Sequence, residues 1–238
     1  MATPYNTYRS KKEQVEEMFD HIAPKYDLLN QLLSLGVHKR WRKRTIREVT
    51  ALSPNNILDV ATGTGDLAIQ ACGKTGAKIT AIDLSEQMLS AGRKKVEAKG
   101  LSEQIEFMKA DCEALPFADD SFDAVMVAFG VRNFGDLDKG LKEMHRVLRP
   151  GKKIYVLEFS KISNGFFRAL FRFYFKTVCP IIGKLISADK RAYTYLPESV
   201  EEFPSGGEFA KIMERCAYRE VKVCPLSMGI ATLYTGVK

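Results

Sequence analysis

The sequence predicts an α/β protein: a doubly wound, seven-stranded sheet, mostly parallel, with an antiparallel C-terminal hairpin and an N-terminal helical lid. Three observations predict it. Apolar runs of strand length recur from residue 57 onward, helical patterns separate them, and the last two runs lie too close together for a crossover helix.

In order, ILDV (57–60), KITAID (78–83), IEFMKA (105–110), FDAVMVAF (122–129), KIYVLEF (153–159), REVKVCP (219–225) and IATLYTGV (230–237) read as strands. Helical periodicity fills 66–74, 85–99 and 137–148, then about 163–187 and 206–217. Ser85, followed by Met88, Leu89 and Gly92, reads as an N-cap and its apolar face. The helix through Leu141, Met144, Val147 and Leu148 is expected to stop at Pro150-Gly151. Only LSMG joins the last two strands, so they pair as a hairpin. Residues 1–50 are helical in pattern and are expected to cover the ligand edge of the sheet. One domain over 1–238 is expected: a cap (1–50), a binding core (51–160), a basic-aromatic helical insertion (161–205), and a C-terminal helix and hairpin (206–238).

Composition limits the setting. With 45% hydrophobic residues, 238 residues supply an ample core. Five scattered cysteines without a C-x-x-C pair argue against a disulfide framework or a structural zinc, and for a reducing compartment. The N-terminus is polar, and no apolar run reaches the roughly 18 residues of a membrane span. A cytoplasmic protein is expected. The net charge of +7 is concentrated: residues 39–47 carry six basic and no acidic side chains, and 161–191 carry seven basic and one acidic. The remainder sums to −5, a mildly acidic body with two basic patches. Such patches are solvated faces, or they meet nucleic acid, anionic lipid or an anionic ligand.

The stretch ILDVATGTGDLAI (57–69) runs from a strand through Gly63-Thr64-Gly65 into a helix. Glycine admits positive φ and lets a ligand approach the main chain. Gly63, Gly65 and Ala68 also fit the dinucleotide pattern G-x-G-x-x-A, so a nicotinamide or flavin cofactor is the first rival. Ligands of open α/β sheets bind at the carboxyl ends of the strands. Those ends carry Asp59, Asp83 (19 positions after Thr64) and Asp111-Cys112. An acid after strand two suits ribose hydroxyls in either case. A carboxylate directly before the glycines suits a cationic ligand better than a pyrophosphate. S-adenosyl-L-methionine has a sulfonium, a ribose and no phosphate.

The motifs ILDVATGTGDLA, AIDLSEQML, ADCEALPFADDSFDAVMVAFGVRN and HRVLRPGKK resemble the class I S-adenosylmethionine-dependent methyltransferases, whose fold is Rossmann-like. More narrowly, the chain resembles the quinone-ring C-methyltransferases of menaquinone and ubiquinone biosynthesis. That resemblance runs from MFDHIAPKYDLLNQLLSLGVHKRWR through FGVRNFGDLDKGLKEMHRVLRPG and LEFSK to YTYLPESVEEFPSGGEF. It implies that Thr64, with Gly63 and Gly65, holds the methionine end of the cofactor, that Asp83 holds the ribose, and that Asp111 with Cys112 brackets the adenine. It implies methylation of demethylmenaquinol to menaquinol, or of 2-methoxy-6-polyprenyl-1,4-benzoquinol in the ubiquinone route. Ala128 departs from the pattern, since many relatives carry serine there, and Gly151 is followed by lysine rather than a second glycine.

Methyl transfer from a sulfonium is an in-line displacement, so alignment and exclusion of water carry much of the rate. A hydroquinone carbon becomes nucleophilic when a ring hydroxyl loses its proton. Arg132 and Asn133 follow strand four and are the catalytic candidates, Arg132 to stabilise a phenolate and Asn133 to orient a ring oxygen. The competing reading is a loop anchor. Glu158, at the end of strand five, reads more readily as a satisfied strand-end carboxylate. His145 reads as packing, His21 as exposed, and His38 opens HKRWR within the N-terminal signature, with a substrate role as its alternative. Tyr26 and Tyr195 suit an aromatic slot or the core.

In FFRALFRFYFKTVCPIIGKLI (166–186), Arg168, Arg172 and Lys176 form one helical stripe beside Phe167, Phe171, Tyr174, Phe175 and Val178. This is a lid helix, or an amphipathic surface that admits a polyprenyl tail and touches anionic lipid at the inner face of the membrane. The expected partner is a polyprenylated quinol; a homodimer is compatible with the sequence. An RNA methyltransferase using the basic patches is the rival enzyme, weakened by AFGVRN in place of an N-P-P-Y loop. A non-catalytic sensor of S-adenosylmethionine is the rival of another class.

Overall fold

A computed structural model describes residues 2–5, 7–161, 165, 177 and 191–238. Its centre is β1 (Asn56–Val60), flanked by β2 (Lys78–Asp83) and β4 (Phe122–Ala128), both parallel to it. With β3 (Ile105–Lys109), β5 (Leu148–Phe159), β6 (Arg219–Leu226) and β7 (Ala231–Val237), the order across the sheet is β3-β2-β1-β4-β5-β7-β6. β7 runs antiparallel to both β5 and β6, so the expected hairpin is present with β7 inserted beside β5. The order reverses between β1 and β4, and a crevice opens there at the carboxyl ends.

Strand side chains alternate between two cores. Leu58, Val60, Val125, Val127, Ile154 and Val156 face α6 (Leu137–Val147) and α8 (Gly207–Arg215). Ile57, Ala124, Met126, Tyr155 and Leu157 face α3 (Val37–Thr50) and α4 (Asp66–Thr75). α5 (Glu86–Glu97) is capped as the sequence requires: the Ser85 Oγ accepts from the Met88 N–H at 3.1 Å. Phe107 of β3 lies against Gly65 and Gly92; a Cβ at either would stand 2.6 or 2.5 Å from its ring. Those two glycines therefore let α4 and α5 close on the strand.

A third cluster joins the N-terminal helices to this body. Val15, Met18 and Ile22 of α1 (Lys11–Ile22) and Leu29 of α2 (Tyr26–Leu33) pack with Met88, Ala192 and Tyr195. The Ser10 hydroxyl and the Glu13 carboxylate form a reciprocal capping box that starts α1.

Three element boundaries differ from the sequence reading. β5 begins at Leu148 rather than 153, because Leu148 already pairs with Phe122 and the Pro150-Gly151 turn lies inside the strand. α6 therefore passes straight into β5, with no loop after it. A further helix, α7 (Arg191–Glu202), carries Pro197 in its interior, where proline ordinarily breaks a helix. Tyr195, Val200 and the following Phe203 are buried, so tertiary packing outweighs that local cost. The stripe Arg168, Arg172 and Lys176 and its aromatic neighbours lie outside the described residues.

Candidate functional site

After β1, the chain turns back through Ala61 and Gly63, both at positive φ (51° and 58°). The Thr62 N–H bonds the Ile82 carbonyl at 2.9 Å, and the Gly63 N–H donates to Asp83 Oδ2 at 2.8 Å. The other Asp83 oxygen accepts from the Ser85 N–H at 3.0 Å. One carboxylate thus fixes the glycine loop and the start of α5 together. Burial pushes Asp83 above the usual carboxylate range, against the pull of those N–H groups.

The next strand position back toward the core holds Asp59, 1% exposed and on the α3/α4 side of the sheet with Ile57. Thr62 donates to its Oδ2 at 2.6 Å, while Oδ1 has no hydrogen-bond partner. Burial raises its pKa to about 7.

A cavity lies over these strand ends. Gly63, Asp83, Asp111 and Cys112 form its floor, and Asn133 forms part of one wall. Burial and the neighbouring carboxylates Asp111 and Glu113 push the Cys112 thiol up, so it stays protonated and unreactive. α1 and α2 roof the cavity with Lys12, Val15, Phe19 and Tyr26. Five predicted site residues are therefore brought together; Thr64, Gly65 and Arg132 do not line the cavity. The Thr64 hydroxyl is spent elsewhere, donating to Asp27 at 2.7 Å and accepting from Lys95 at 2.8 Å.

Arg132 turns away from the cavity into a buried pair. Its Nη1 lies 2.8 Å from Glu158 Oε1 and also donates to the Phe129 carbonyl, and its guanidinium stands 5.5 Å from the Phe159 ring centroid. Glu158 is 0% exposed and also accepts from the Phe159 N–H at 2.8 Å. This geometry ties the loop after β4 to the end of β5. Asn133, next in the chain, keeps its side chain at the cavity. Tyr195, whose pKa burial pushes up to about 12, donates to Asn133 Oδ1 at 3.1 Å. That bond fixes the amide with its NH₂ as the donor, which gives one N–H to the Phe129 carbonyl at 3.5 Å and keeps a second.

The roof is pinned to the floor by contacts the sequence did not reveal. Lys12 pairs with Asp111 and, at 3.2 Å, with Glu113; Glu16 pairs with Lys109 at 2.6 Å. The Ser85 hydroxyl donates to Asp20. Lys11 donates to the Arg132 carbonyl at 2.9 Å, and burial with the Arg132 charge lowers its pKa to about 8. On the far side, Lys95 bridges Asp27 and Asp66, and Arg42 holds Asp66 at 2.6 Å. Each joins residues remote in sequence, so no local motif carried a signal for them. None of the three histidines lines the cavity. His38 is buried beside Ser34 with its pKa lowered by burial to about 4, His145 stacks edge-on against Tyr218, and His21 is exposed.

The cavity fits S-adenosylmethionine better than a dinucleotide. A pyrophosphate needs free N–H groups at the glycine loop. Here the Gly63 N–H is taken by Asp83, the Gly65 N–H by the Thr62 carbonyl, and Asp66 puts a further carboxylate on the first turn of α4. An acidic floor accepts ribose hydroxyls and a cation, and repels phosphate.

Residues 7–238 match the model of the ubiE/COQ5 methyltransferase family. The chain belongs to that family. A demethylmenaquinone methyltransferase of Bacteroides fragilis is 47% identical over 236 residues, covering 99% of this chain and 96% of its own. A ubiquinone/menaquinone biosynthesis C-methyltransferase, UbiE, of Geotalea daltonii is 46% identical over 230 residues, covering 96% and 97%. Among solved structures, an S-adenosylmethionine-dependent methyltransferase of Thermotoga maritima superposes with a TM-score of 0.65 at 18% identity, over 93% of this chain and 99% of its own. The cyclase SpnF superposes with a TM-score of 0.61 at 18% identity, over 95% and 96%. A shared fold with a cyclase means that the fold alone does not fix the reaction. Family membership narrows the chemistry of this ubiE/COQ5 chain to methyl transfer.

Proposed function

We propose that this chain methylates a ring carbon of a polyprenylated quinol, converting demethylmenaquinol to menaquinol. The observation that carries the reading is full-length similarity, at 46–47% identity, to enzymes named for that step. A second reading, methylation of 2-methoxy-6-polyprenyl-1,4-benzoquinol, is favoured by relatives named for both quinones.

When bound, S-adenosylmethionine supplies an electrophilic methyl group. Asp83 would hold its ribose, Asp111 and Cys112 its adenine, and the turn at Gly63 its methionine end, with Thr64 and Gly65, which lie off the cavity, shaping that turn. The Thr64 side chain is already committed to Asp27 and Lys95. The Asn133 NH₂ would donate to a ring oxygen that is losing its proton, a role supported by its position in the cavity lining. Arg132 acts through Glu158 and the loop to keep Asn133 there. Val15 and Phe19 in the roof exclude water from the displacement. A soluble enzyme meets its long-tailed substrate by peripheral contact with an anionic membrane surface.

The test is methyl transfer to a short-tailed demethylmenaquinol, run beside the benzoquinol and bulk RNA. Turnover on RNA alone would overturn the quinol reading. Asp83→Ala supplies the second arm. Charged hydrogen bonds contribute about 1.5–3 kcal/mol each, so calorimetry should show S-adenosylmethionine affinity reduced more than tenfold in a folded variant. Unchanged affinity would remove Asp83 from the cofactor site.

A further inference from the structure

α2 is apolar beyond the side it buries. Leu29 is buried and Tyr26 lines the cavity on one side. Leu28 and Leu32, at i and i+4, lie on the adjoining outward side and are 53% and 38% exposed, and Leu35, just past the helix end, is 81% exposed. Six large hydrophobic side chains are exposed among the described residues, and these are three of them. A short surface helix needs only one apolar face to pack on its domain. These three leucines stay open to solvent among the described residues. Leu35 also sits at φ +49°, a conformation that disfavours a branched side chain, yet it points its side chain to solvent.

The same turn opens α3, and its exposed residues are cations. Lys39, Lys43 and Arg47 recur at i, i+4 and i+8, with Arg40 beside them. Of the six basic residues in 39–47, Arg42 pairs with Asp66 and Arg44 with Glu48. The other four make no ion pair among the described residues. An apolar stripe bordered by unpaired cations is the surface chemistry of interfacial membrane binding, in which leucines enter the acyl boundary and lysines meet anionic headgroups.

We propose that the α2–α3 face docks on an anionic phospholipid bilayer, with Leu28, Leu32 and Leu35 entering the interface and Lys39, Arg40, Lys43 and Arg47 on the headgroups. The proposal rests on the quinol reading for its purpose: the substrate tail lies in the bilayer. Because α2 has Tyr26 at the cavity, docking places the membrane one helix diameter, roughly 10 Å, from the site. A quinol ring then enters beside the helix that its tail lies against.

The experiment is cosedimentation of the full chain with phosphatidylglycerol vesicles, and with phosphatidylcholine vesicles as the neutral control, at about 0.1 M and 1 M salt. Headgroup attraction is screened over that range, as the Debye length falls from about 10 Å to about 3 Å; apolar insertion is not. Wild-type protein should bind phosphatidylglycerol at both salts, more weakly at the higher. A Lys39→Gln, Lys43→Gln, Arg47→Gln variant should lose at least tenfold at low salt and little at high salt. A Leu28→Ser, Leu32→Ser, Leu35→Ser variant should lose the salt-resistant part. Leu35→Gly relieves the strained φ, so it should fold at least as well while still binding vesicles more weakly. All three should turn over a short-tailed soluble quinol within twofold of wild type and a vesicle-borne long-tailed quinol several-fold more slowly. Wild-type protein that ignores phosphatidylglycerol, or variants that bind like wild type, would overturn the proposal. So would a wild-type dimer that the leucine variant dissociates, since a second copy would then cover this face. Failure to methylate any quinol would sink the quinol reading alone and leave the vesicle result standing.

Discussion

On the sheet side of the cavity, Asp59 and Glu158 stand on strand ends, 1% and 0% exposed, and the core around them is already closed. On the helical side, Lys12 reaches down from α1 to Asp111 and Glu113 with about a third of its side chain still exposed. Both regions are held by charge, but the surrounding dielectric differs. A buried charge that loses its partner is stranded, whereas an exposed one returns to water. The floor is therefore rigid and costly to alter. The roof is fastened by contacts that break at little cost, as suits a cover that must admit a cofactor.

The sharpest way to break this comparison is to strand a floor charge. Glu158→Ala leaves the Arg132 guanidinium, 8% exposed, without its carboxylate. Removing one partner of a buried pair costs about 3–5 kcal/mol. At about 2–4 °C per kcal/mol for a chain of this size, thermal melting should drop by roughly 6–20 °C. A drop as small as that of a surface variant would place Glu158 in wetter surroundings than its burial indicates.

Asp59 tests the floor from the other direction. Its pKa is about 7 in the fold, against 3.8 ordinarily. Between those values the folded state holds a proton that the unfolded state has lost, so stability falls as pH rises from about 4 to about 7. Asn at this position does not titrate. Each pKa unit is worth about 1.4 kcal/mol, so the stability of Asp59→Asn relative to wild type should improve by about 2–4 kcal/mol between pH 4 and pH 8. Denaturant melts across that range measure it. A pH-independent difference would mean that Asp59 is ionised throughout, with a partner for Oδ1.

How much of this was legible follows the same division. The floor is made by short-range patterning: alternating strands place their last residues at one edge, so the sequence alone makes Asp83, Asp111 and Asn133 neighbours. Ser85 was legible as a cap because its partner is three residues away. The roof contacts were not, since Lys12 and Asp111 lie 99 positions apart and nothing local selects that pair. Arg132 shows the limit most clearly. Its place in FGVRN marked it as important, but only the packing of β5 against the loop shows its guanidinium facing Glu158 rather than the cavity. α7 falls inside the helical insertion expected over 161–205, but its bounds were not read, since Pro197 in its interior is held by the burial of Tyr195 and Val200 rather than by a local pattern.

The smallest effect is expected at the roof, and it separates two pictures of how the cavity closes. Lys12→Met removes the pairs to Asp111 and Glu113 while keeping most of the apolar stem against Val15. Half-exposed pairs contribute under about 1 kcal/mol, so the melting temperature should move by no more than about 2–4 °C. Global stability is therefore the wrong readout, and amide hydrogen exchange is the right one. Segments that open alone exchange faster than the core without changing the core's protection. In Lys12→Met, the amides of α1 should exchange several-fold faster while those of β1 and β4 stay as in wild type. If β4 loses protection in step with α1, roof and floor open as one unit, and access to the cavity would then require the sheet edge itself to loosen. Faster exchange confined to α1 places the entrance between Lys12 and Asp111, where the cover is held most weakly.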